Sequence, residues 1–184
     1  LQTARHFERI NQAMANDGVV KPLQEKIDER GKLGIQFFPA NKYLVLNGAG
    51  GGTACAACLS LADHKDIVVD QTLYWPLVPT QQEAWYRGGL MNTDTLTRPI
   101  SKFIPEGELG PRHLHTVPTR VIPKFEPGRQ NHLKVATLAE RLSVLAQPLI
   151  AADDRVSDPI NPIAARRRRL RNKLKQLPDF LALE

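Results

Sequence analysis

Apolar residues with helical spacing open this 184-residue chain. Phe7 and Ile10 are three residues apart and Met14 follows four residues later, which predicts a helix over Thr3 to Asn16. A second, shorter helix is expected a few residues further along. Together they make a predicted N-terminal helical segment, residues 1–30.

Short apolar runs bounded by turn residues come next and predict strands. Ile35 to Phe38 and Lys42 to Leu46 are two such runs. The stretch from Ile67 to Val78 is rich in β-branched and aromatic residues, which favours further strands. Thr80 is followed three residues later by Glu83, a capping box that predicts the start of a helix.

The last third of the chain is predicted to be helical. Asn131 to Ala151 has a broad apolar face, and Pro148 should end or kink that helix. A basic stretch over residues 161–176, NPIAARRRRLRNKLKQ, predicts another helix that turns back on the first. The expected fold class is therefore α+β: a small mixed sheet with flanking helices over residues 31–130, then a C-terminal helical pair over residues 131–184.

Composition limits the classes of function. Hydrophobic residues make up 42% of the chain and charged residues 24%, as in globular proteins. No window reaches the roughly 20 apolar residues of a membrane span, and the polar N-terminus is unlike a signal peptide. We expect a cytoplasmic protein with no membrane partner. Because the chain starts at Leu1, we also expect a fragment of a longer protein.

Positive charge is concentrated in the basic stretch, which holds seven cations and no acid. The other 18 cations are balanced by 19 acids, so the net charge of +6 belongs to this one element. On a helix these side chains fall on nearly every side, which favours contact with a phosphate backbone. A solvated helix, or one paired with acids of a missing domain, is the alternative. The seven cations are Arg166, Arg167, Arg168, Arg169, Arg171, Lys173 and Lys175.

A single Cys-x-x-Cys pair, Cys55 and Cys58, is a weak sign of a metal site. Zinc needs two more ligands, and the chain has no second pair of cysteines. The small residues around the pair favour buried thiols, with a zinc site and a redox dithiol as the alternatives. We predict no metal ion for this chain.

Ser101 to Pro127 is predicted to be a long connection interrupted by prolines. Long irregular segments in compact domains are often functional. Its cations and histidines suit contacts with phosphates and base edges, and Arg112 is the likeliest base reader because its guanidinium matches O6 and N7 of guanine. Surface histidines, or hydrogen-bonded histidines of the core, are the alternative. The candidate DNA-binding residues here are Arg112, His113, His115, Arg120 and Lys124.

Five segments in a fixed order resemble a known family. Their order and spacing resemble the C-terminal target-recognition region of adenine-specific DNA methyltransferases of restriction-modification enzymes. The resemblance covers about residues 42–149. The segments are QTLYW at 71–75, QEAWYRGGLMNT at 82–93, GELGPRHLH at 107–115, VIPKFEP at 121–127 and the pair His132-Leu133.

The resemblance implies a chain that reads duplex DNA for a catalytic methyltransferase domain or subunit located elsewhere. Transfer of a methyl group to adenine needs an Asp/Asn-Pro-Pro-Tyr/Phe element that grips the flipped base. This chain contains no Pro-Pro dipeptide. We therefore expect no catalytic residue here and no cofactor within the fragment, while S-adenosylmethionine would belong to the parent enzyme.

Two other functions stay open from the sequence. The first is a protein-interaction or scaffold module that docks an enzyme subunit through the apolar face of residues 133–149. The second is RNA binding by the basic helix, which the 6% content of aromatic residues makes less attractive. Binding of duplex DNA that weakens with salt separates the DNA reader from the docking module.

Overall fold

Contacts divide the chain into two compact units in a computed structural model. Unit 1 comprises residues 1–39 and 66–69, and unit 2 comprises residues 40–65 and 70–184. The three segments predicted from the sequence remain a prediction. None of the helices in the described residues is long and apolar enough to cross a bilayer. The structure describes residues 2–28, 31, 33–48, 54–64, 67–69, 72–101, 121–158 and 160–184.

Unit 1 contains the two predicted N-terminal helices, α1 (Gln2–Asn16) and α2 (Leu23–Ile27). The Asn11 side chain accepts a hydrogen bond from the Leu23 amide at 2.6 Å, which ties the start of α2 to α1. Gly18 takes a φ of 77° in the turn after α1, a conformation that favours glycine. The predicted helices at this end of the chain are confirmed.

The strand predicted over Ile35 to Phe38 is wrong. Gly34–Gln36 forms a 3₁₀ turn, and the side chains of Ile35 and Phe37 are exposed. The backbone of this segment finds no ladder partner among the described residues. Instead the Gln36 side chain bonds to the backbone of Val69, accepting from its N–H at 2.7 Å and donating to its C=O at 3.0 Å. A four-residue apolar run is too short a signal to separate a turn from a strand.

A four-stranded sheet lies in unit 2, and its central strand pairs on both sides. Strand β1 pairs with β2 along one edge and with the short β3 and β4 along the other. All three pairings are antiparallel, so the prediction of a mixed sheet is wrong in this respect. The α+β class is confirmed. The strands are β1 (Tyr43–Gly48), β2 (Ala56–Ser60), β3 (Leu73–Tyr74) and β4 (Leu77–Val78).

Helices form most of the rest of the described part of unit 2. Thr80 caps α3 as predicted, its hydroxyl accepting from the Glu83 amide at 3.2 Å. Helices α4 and α5 continue beyond Pro99 and Pro148, so neither proline ends its helix. The predicted C-terminal pair corresponds to α5 and α7, and two short helices, α6 and α8, are present in addition. The helices are α3 (Gln81–Met91), α4 (Asp94–Ser101), α5 (Gln130–Ala151), α6 (Asp154–Ser157), α7 (Ile163–Leu174) and α8 (Pro178–Leu183).

Helix α3 is the centre of the core because it packs on both the sheet and α5. Two adjacent glycines permit this. A Cβ atom at Gly88 would overlap the Cys58 sulfur of β2, and one at Gly89 would lie 2.7 Å from the Ala139 Cβ of α5. The backbone of α3 therefore approaches a strand on one side and a helix on the other.

Two groups of buried apolar residues follow from this arrangement. The larger joins the sheet, α3, α4 and the start of α5. The smaller fills the contact between α5 and α8, with Leu138, Leu142, Phe180 and Leu183 buried. Removal of this apolar surface from water is the main force that holds unit 2 together.

Candidate nucleic-acid interface

Tyr86 brings together three of the segments that carry the resemblance. It lies in α3, and its ring is 5.4 Å from Phe125 and 4.5 Å from His132, measured between centroids. Its hydroxyl donates to the Pro123 carbonyl at 3.2 Å. The His132 Nδ1 atom accepts from the Glu126 amide at 3.1 Å, which fixes the turn before α5. These three segments therefore meet in the core around α3.

Asn92 gives the end of the QEAWYRGGLMNT segment a structural role. Its side-chain amide donates to the Ala56 carbonyl at 2.8 Å, and its oxygen accepts from the Ala56 amide at 3.1 Å. The same amide group donates to the Gly88 carbonyl at 2.9 Å. Asn92 thus closes α3 and holds the first residue of β2.

Lys124 is the one candidate DNA-binding residue of the predicted connection that lies within the described residues. It is exposed, while its neighbour Phe125 is buried and Pro123 accepts the Tyr86 hydrogen bond. The anchored neighbours therefore hold Lys124 at the surface. The other four candidates on this connection, Arg112, His113, His115 and Arg120, lie outside the described residues.

Helix α7 carries the basic stretch, and two of its cations bind one carboxylate. Arg169 Nε and Lys173 Nζ each lie 2.6 Å from Asp153 Oδ2. The Asp153 side chain is only 8% exposed. Hydrogen bonds from Lys173 and then Arg169 lower the pKa of Asp153 to about 2. We call these three residues the Asp153 cluster.

A second carboxylate binds Arg171 of α7 and Lys175, the residue directly after this helix. Arg171 Nη2 lies 2.7 Å and Lys175 Nζ 2.6 Å from the Asp94 carboxylate, and the hydrogen bond from Lys175 is the main cause of the lowered pKa of Asp94. Glu184 lies 3.5 Å from Arg171 and accepts from the Asp94 and Thr95 amides at 2.8 and 3.1 Å. We call Asp94, Arg171, Lys175 and Glu184 the Asp94 cluster.

The remaining cations of α7 differ in exposure. Arg166 is partly buried and donates to the carbonyls of Val156 and Ser157 at 2.6 and 3.4 Å. Arg167 and Arg168 are exposed. Within the described part of the chain, Arg168 has no hydrogen-bond or ion-pair partner. These three predicted phosphate-binding residues therefore differ: Arg166 is partly buried against carbonyls, whereas Arg167 and Arg168 face solvent.

The acids that meet α7 were not predicted from the sequence. Acids of a missing domain were one predicted alternative, whereas Asp94, Asp153 and Glu184 belong to this chain. One signal was present in the sequence: Arg169 and Lys173, like Arg171 and Lys175, are four residues apart and so share a helix face. The acids themselves are distant in sequence, so spacing alone does not identify them.

Cys58 lies against α3, and its thiol donates to the Ala84 carbonyl at 3.0 Å. Burial raises the pKa of Cys58 to about 12. Because the thiolate is the reactive form, this cysteine is a poor nucleophile and a poor redox group at neutral pH. Among the described residues, no three His, Cys, Asp or Glu side chains are grouped closely enough to hold a metal ion.

The apolar face of α5 is largely used inside the chain. Ala136 belongs to the core around α3, and Leu138 and Leu142 pack against α8. Val144 and Leu145 are 66% and 40% exposed. Most of the surface that the docking hypothesis needs is therefore already covered.

Comparisons with protein-family models, with curated proteins and with solved structures give no match for this chain.

Proposed function

We propose that this chain is the target-recognition part of an adenine-specific DNA methyltransferase of the restriction-modification type. The observation that carries the proposal is the convergence of the resembling segments on α3. Tyr86, Pro123 and His132 come from three separate segments, and the Tyr86 side chain of α3 contacts both of the other residues. Segments that co-operate in one core are expected to be retained together, in one order, in a shared architecture.

The charge of the chain fits a polyanion as the partner. Lys124, Arg167 and Arg168 are exposed, and the surplus of positive charge resides on α7. Cations that neutralise phosphates supply most of the sequence-independent affinity for DNA. In this proposal α7 and Lys124 contact the backbone, and Arg112 reads a base.

The parent enzyme would supply the chemistry. Its catalytic domain would bind S-adenosylmethionine and the flipped adenine, and this chain would position that domain on its site. We expect no binding of S-adenosylmethionine by this chain, measured by calorimetry. Micromolar binding of S-adenosylmethionine by this chain would contradict the assignment of cofactor binding to the catalytic domain. A role in restriction and modification would place the protein in the cytoplasm, beside the DNA.

Duplex binding by the full chain tests the proposal directly. We expect affinity for duplex DNA to fall linearly with salt on logarithmic axes, because phosphate contacts release counterions. Substitution of Arg166 to Arg169 by Ala would lower this slope by about three to four if all four arginines contacted phosphate. Arg166 and Arg169 already contact groups of this chain, so we expect a smaller fall, of which exposed Arg168 contributes about one. A chain that does not bind duplex DNA overturns the proposal.

Specificity has a separate test at Arg112. Arg112→Ala in the parent enzyme should cost about 1 to 3 kcal/mol on its cognate duplex and much less on a scrambled one. Lys124→Ala is the matched control, because loss of a backbone contact should weaken both duplexes alike. Equal losses for Arg112→Ala on the two duplexes would make Arg112 a backbone contact.

Docking of an enzyme subunit through α5 ranks second among the functions. Among the described residues of α5, the exposed apolar surface available for docking comes chiefly from Val144 and Leu145. Leu138 and Leu142 are buried against α8. RNA binding by α7 ranks third, and competition between duplex DNA and an RNA hairpin separates it from the proposal. Stronger binding to the hairpin would favour RNA.

A further inference from the structure

The Asp153 cluster has the composition of an oxyanion site. Arg169 Nε and Lys173 Nζ converge on one oxygen of Asp153, each at 2.6 Å. Guanidinium and ammonium groups are the side chains that bind phosphate oxygens most strongly. The Asp153 carboxylate lies where an oxygen of a phosphate group would meet the same two donors.

The two cations remain open to solvent although the carboxylate is buried. Arg169 is 44% and Lys173 33% exposed, against 8% for Asp153. A phosphate arriving from outside can therefore reach both donors. The Asp94 cluster differs, because Arg171 is 18% exposed, lies 5.8 Å above the Phe180 ring and also contacts Glu184.

We propose that Arg169 and Lys173 form a phosphate site for the DNA backbone, and that Asp153 occupies it in the free chain. The inference rests on the proposed function and adds a mechanism of regulation to it. DNA competes with an internal carboxylate, so weak non-specific contacts are reduced. A backbone phosphate displaces Asp153 from Arg169 and Lys173 only where other contacts hold the duplex in place.

Asp153→Asn separates the charge of Asp153 from its structural role. The Oδ1 atom caps α6 by accepting from the Arg155 amide at 3.1 Å, while Oδ2 meets the two cations. Asparagine keeps a capping oxygen and is among the preferred N-cap residues. Asp154→Asn is the matched control, because Asp154 is exposed, adjacent and without an ion-pair partner in the described residues.

The experiment measures binding of a 20-base-pair duplex and of inorganic tripolyphosphate by the full chain. We expect Asp153→Asn to bind both probes roughly three- to tenfold more tightly than the unsubstituted chain, with a duplex salt slope greater by about one to two. Asp154→Asn should change either affinity less than about twofold. Equal effects of the two substitutions overturn the inference.

A double-mutant cycle excludes a general effect of charge. In a chain that also carries Arg169→Gln and Lys173→Gln, Asp153→Asn should no longer raise affinity. A gain of the same size in that background overturns the site. The proposed function fails separately: a chain that does not bind the duplex, yet gains tripolyphosphate affinity through Asp153→Asn alone, keeps the phosphate site and loses the DNA partner.

Discussion

Helices α3 and α7 are nearly equal in length, 11 and 12 residues, but different forces hold them. Ala84, Tyr86 and Met91 of α3 are buried, and its two glycines bring the backbone against β2 and α5. Helix α7 has no residue in the buried class among those described, and its cations bind Asp94, Asp153 and Glu184.

This difference predicts how the two helices respond to solution conditions. Apolar packing is close to independent of pH and of moderate salt, whereas exposed ion pairs weaken with salt and with protonation of their acids. Binding of a polyanion would also compete for the cations of α7. We infer that α3 fixes the architecture, and that α7 is the element whose contacts a ligand can exchange.

Gly89→Val should have the largest effect on stability, because the added side chain would disrupt the packing of α3 against α5. A Cβ atom at this position already lies 2.7 Å from the Ala139 Cβ, and both atoms are held by helix backbones. Overpacking of this kind should lower the free energy of unfolding by about 2 to 3 kcal/mol. Urea denaturation followed by circular dichroism measures the loss.

Two further variants test this explanation. Gly128→Ala should change stability by less than about 0.5 kcal/mol, since nothing lies within 4 Å of its Cβ position. Gly89→Ala should regain stability when combined with Ala139→Gly, which removes the opposing methyl group. A Gly89→Val chain as stable as the unsubstituted one would show that α3 and α5 are not held by close packing.

Acid should weaken α7 through the Asp153 cluster. The pKa of Asp153 is lowered from 3.8 to about 2 by Lys173 and Arg169. A group whose pKa is lower in the folded state stabilises the fold above its unfolded pKa, and that contribution is lost as pH falls through the folded pKa. The contribution is therefore present above about pH 4 and is lost between pH 4 and pH 2.

Thermal unfolding at several pH values measures this contribution. The difference in Tm between the unsubstituted chain and Asp153→Asn should be greatest above pH 4 and should shrink toward pH 2. Asp154→Asn provides the control for loss of a nearby carboxylate outside the cluster. A difference that stays constant from pH 6 to pH 2 would show that the ion pairs add nothing to stability.

Local signals in the sequence predicted much of the fold. The capping box at Thr80, the helical spacing at Phe7 and Ile10 and the broad apolar face of α5 each depend on neighbouring residues, and each helix is present. Strand β2 was not predicted, because Ala56 to Ser60 lacks the β-branched residues typical of strands and pairs only through its distant partner β1.

The site was harder to predict because its decisive contacts join distant residues. Asp94 and Lys175 are 81 positions apart, and Asp153 and Arg169 are 16 apart across a turn and a helix. Sequence patterns reveal where cations are concentrated but not which acids neutralise them. The assignment of Arg112, His113, His115 and Arg120 to DNA stays a prediction.

Arg168 and Arg171 give the smallest effects and the finest comparison, since both are arginines of α7. Arg171→Gln removes contacts with Asp94 and Glu184 and the position above Phe180, so it should cost about 1 kcal/mol of stability. Arg168→Gln should change stability by less than about 0.5 kcal/mol, because Arg168 is exposed.

Duplex binding should reverse the order of the two variants. Arg168→Gln should lower the logarithmic salt slope by about one, as expected for one lost phosphate contact, while Arg171→Gln should leave it nearly unchanged. Urea denaturation and salt titrations of the same two preparations provide both readings. If Arg168→Gln left the slope unchanged and Arg171→Gln lowered it, the acids of the Asp94 cluster would be the ones that DNA displaces. In that case the contacts that hold α7 and the contacts that bind DNA would be the same.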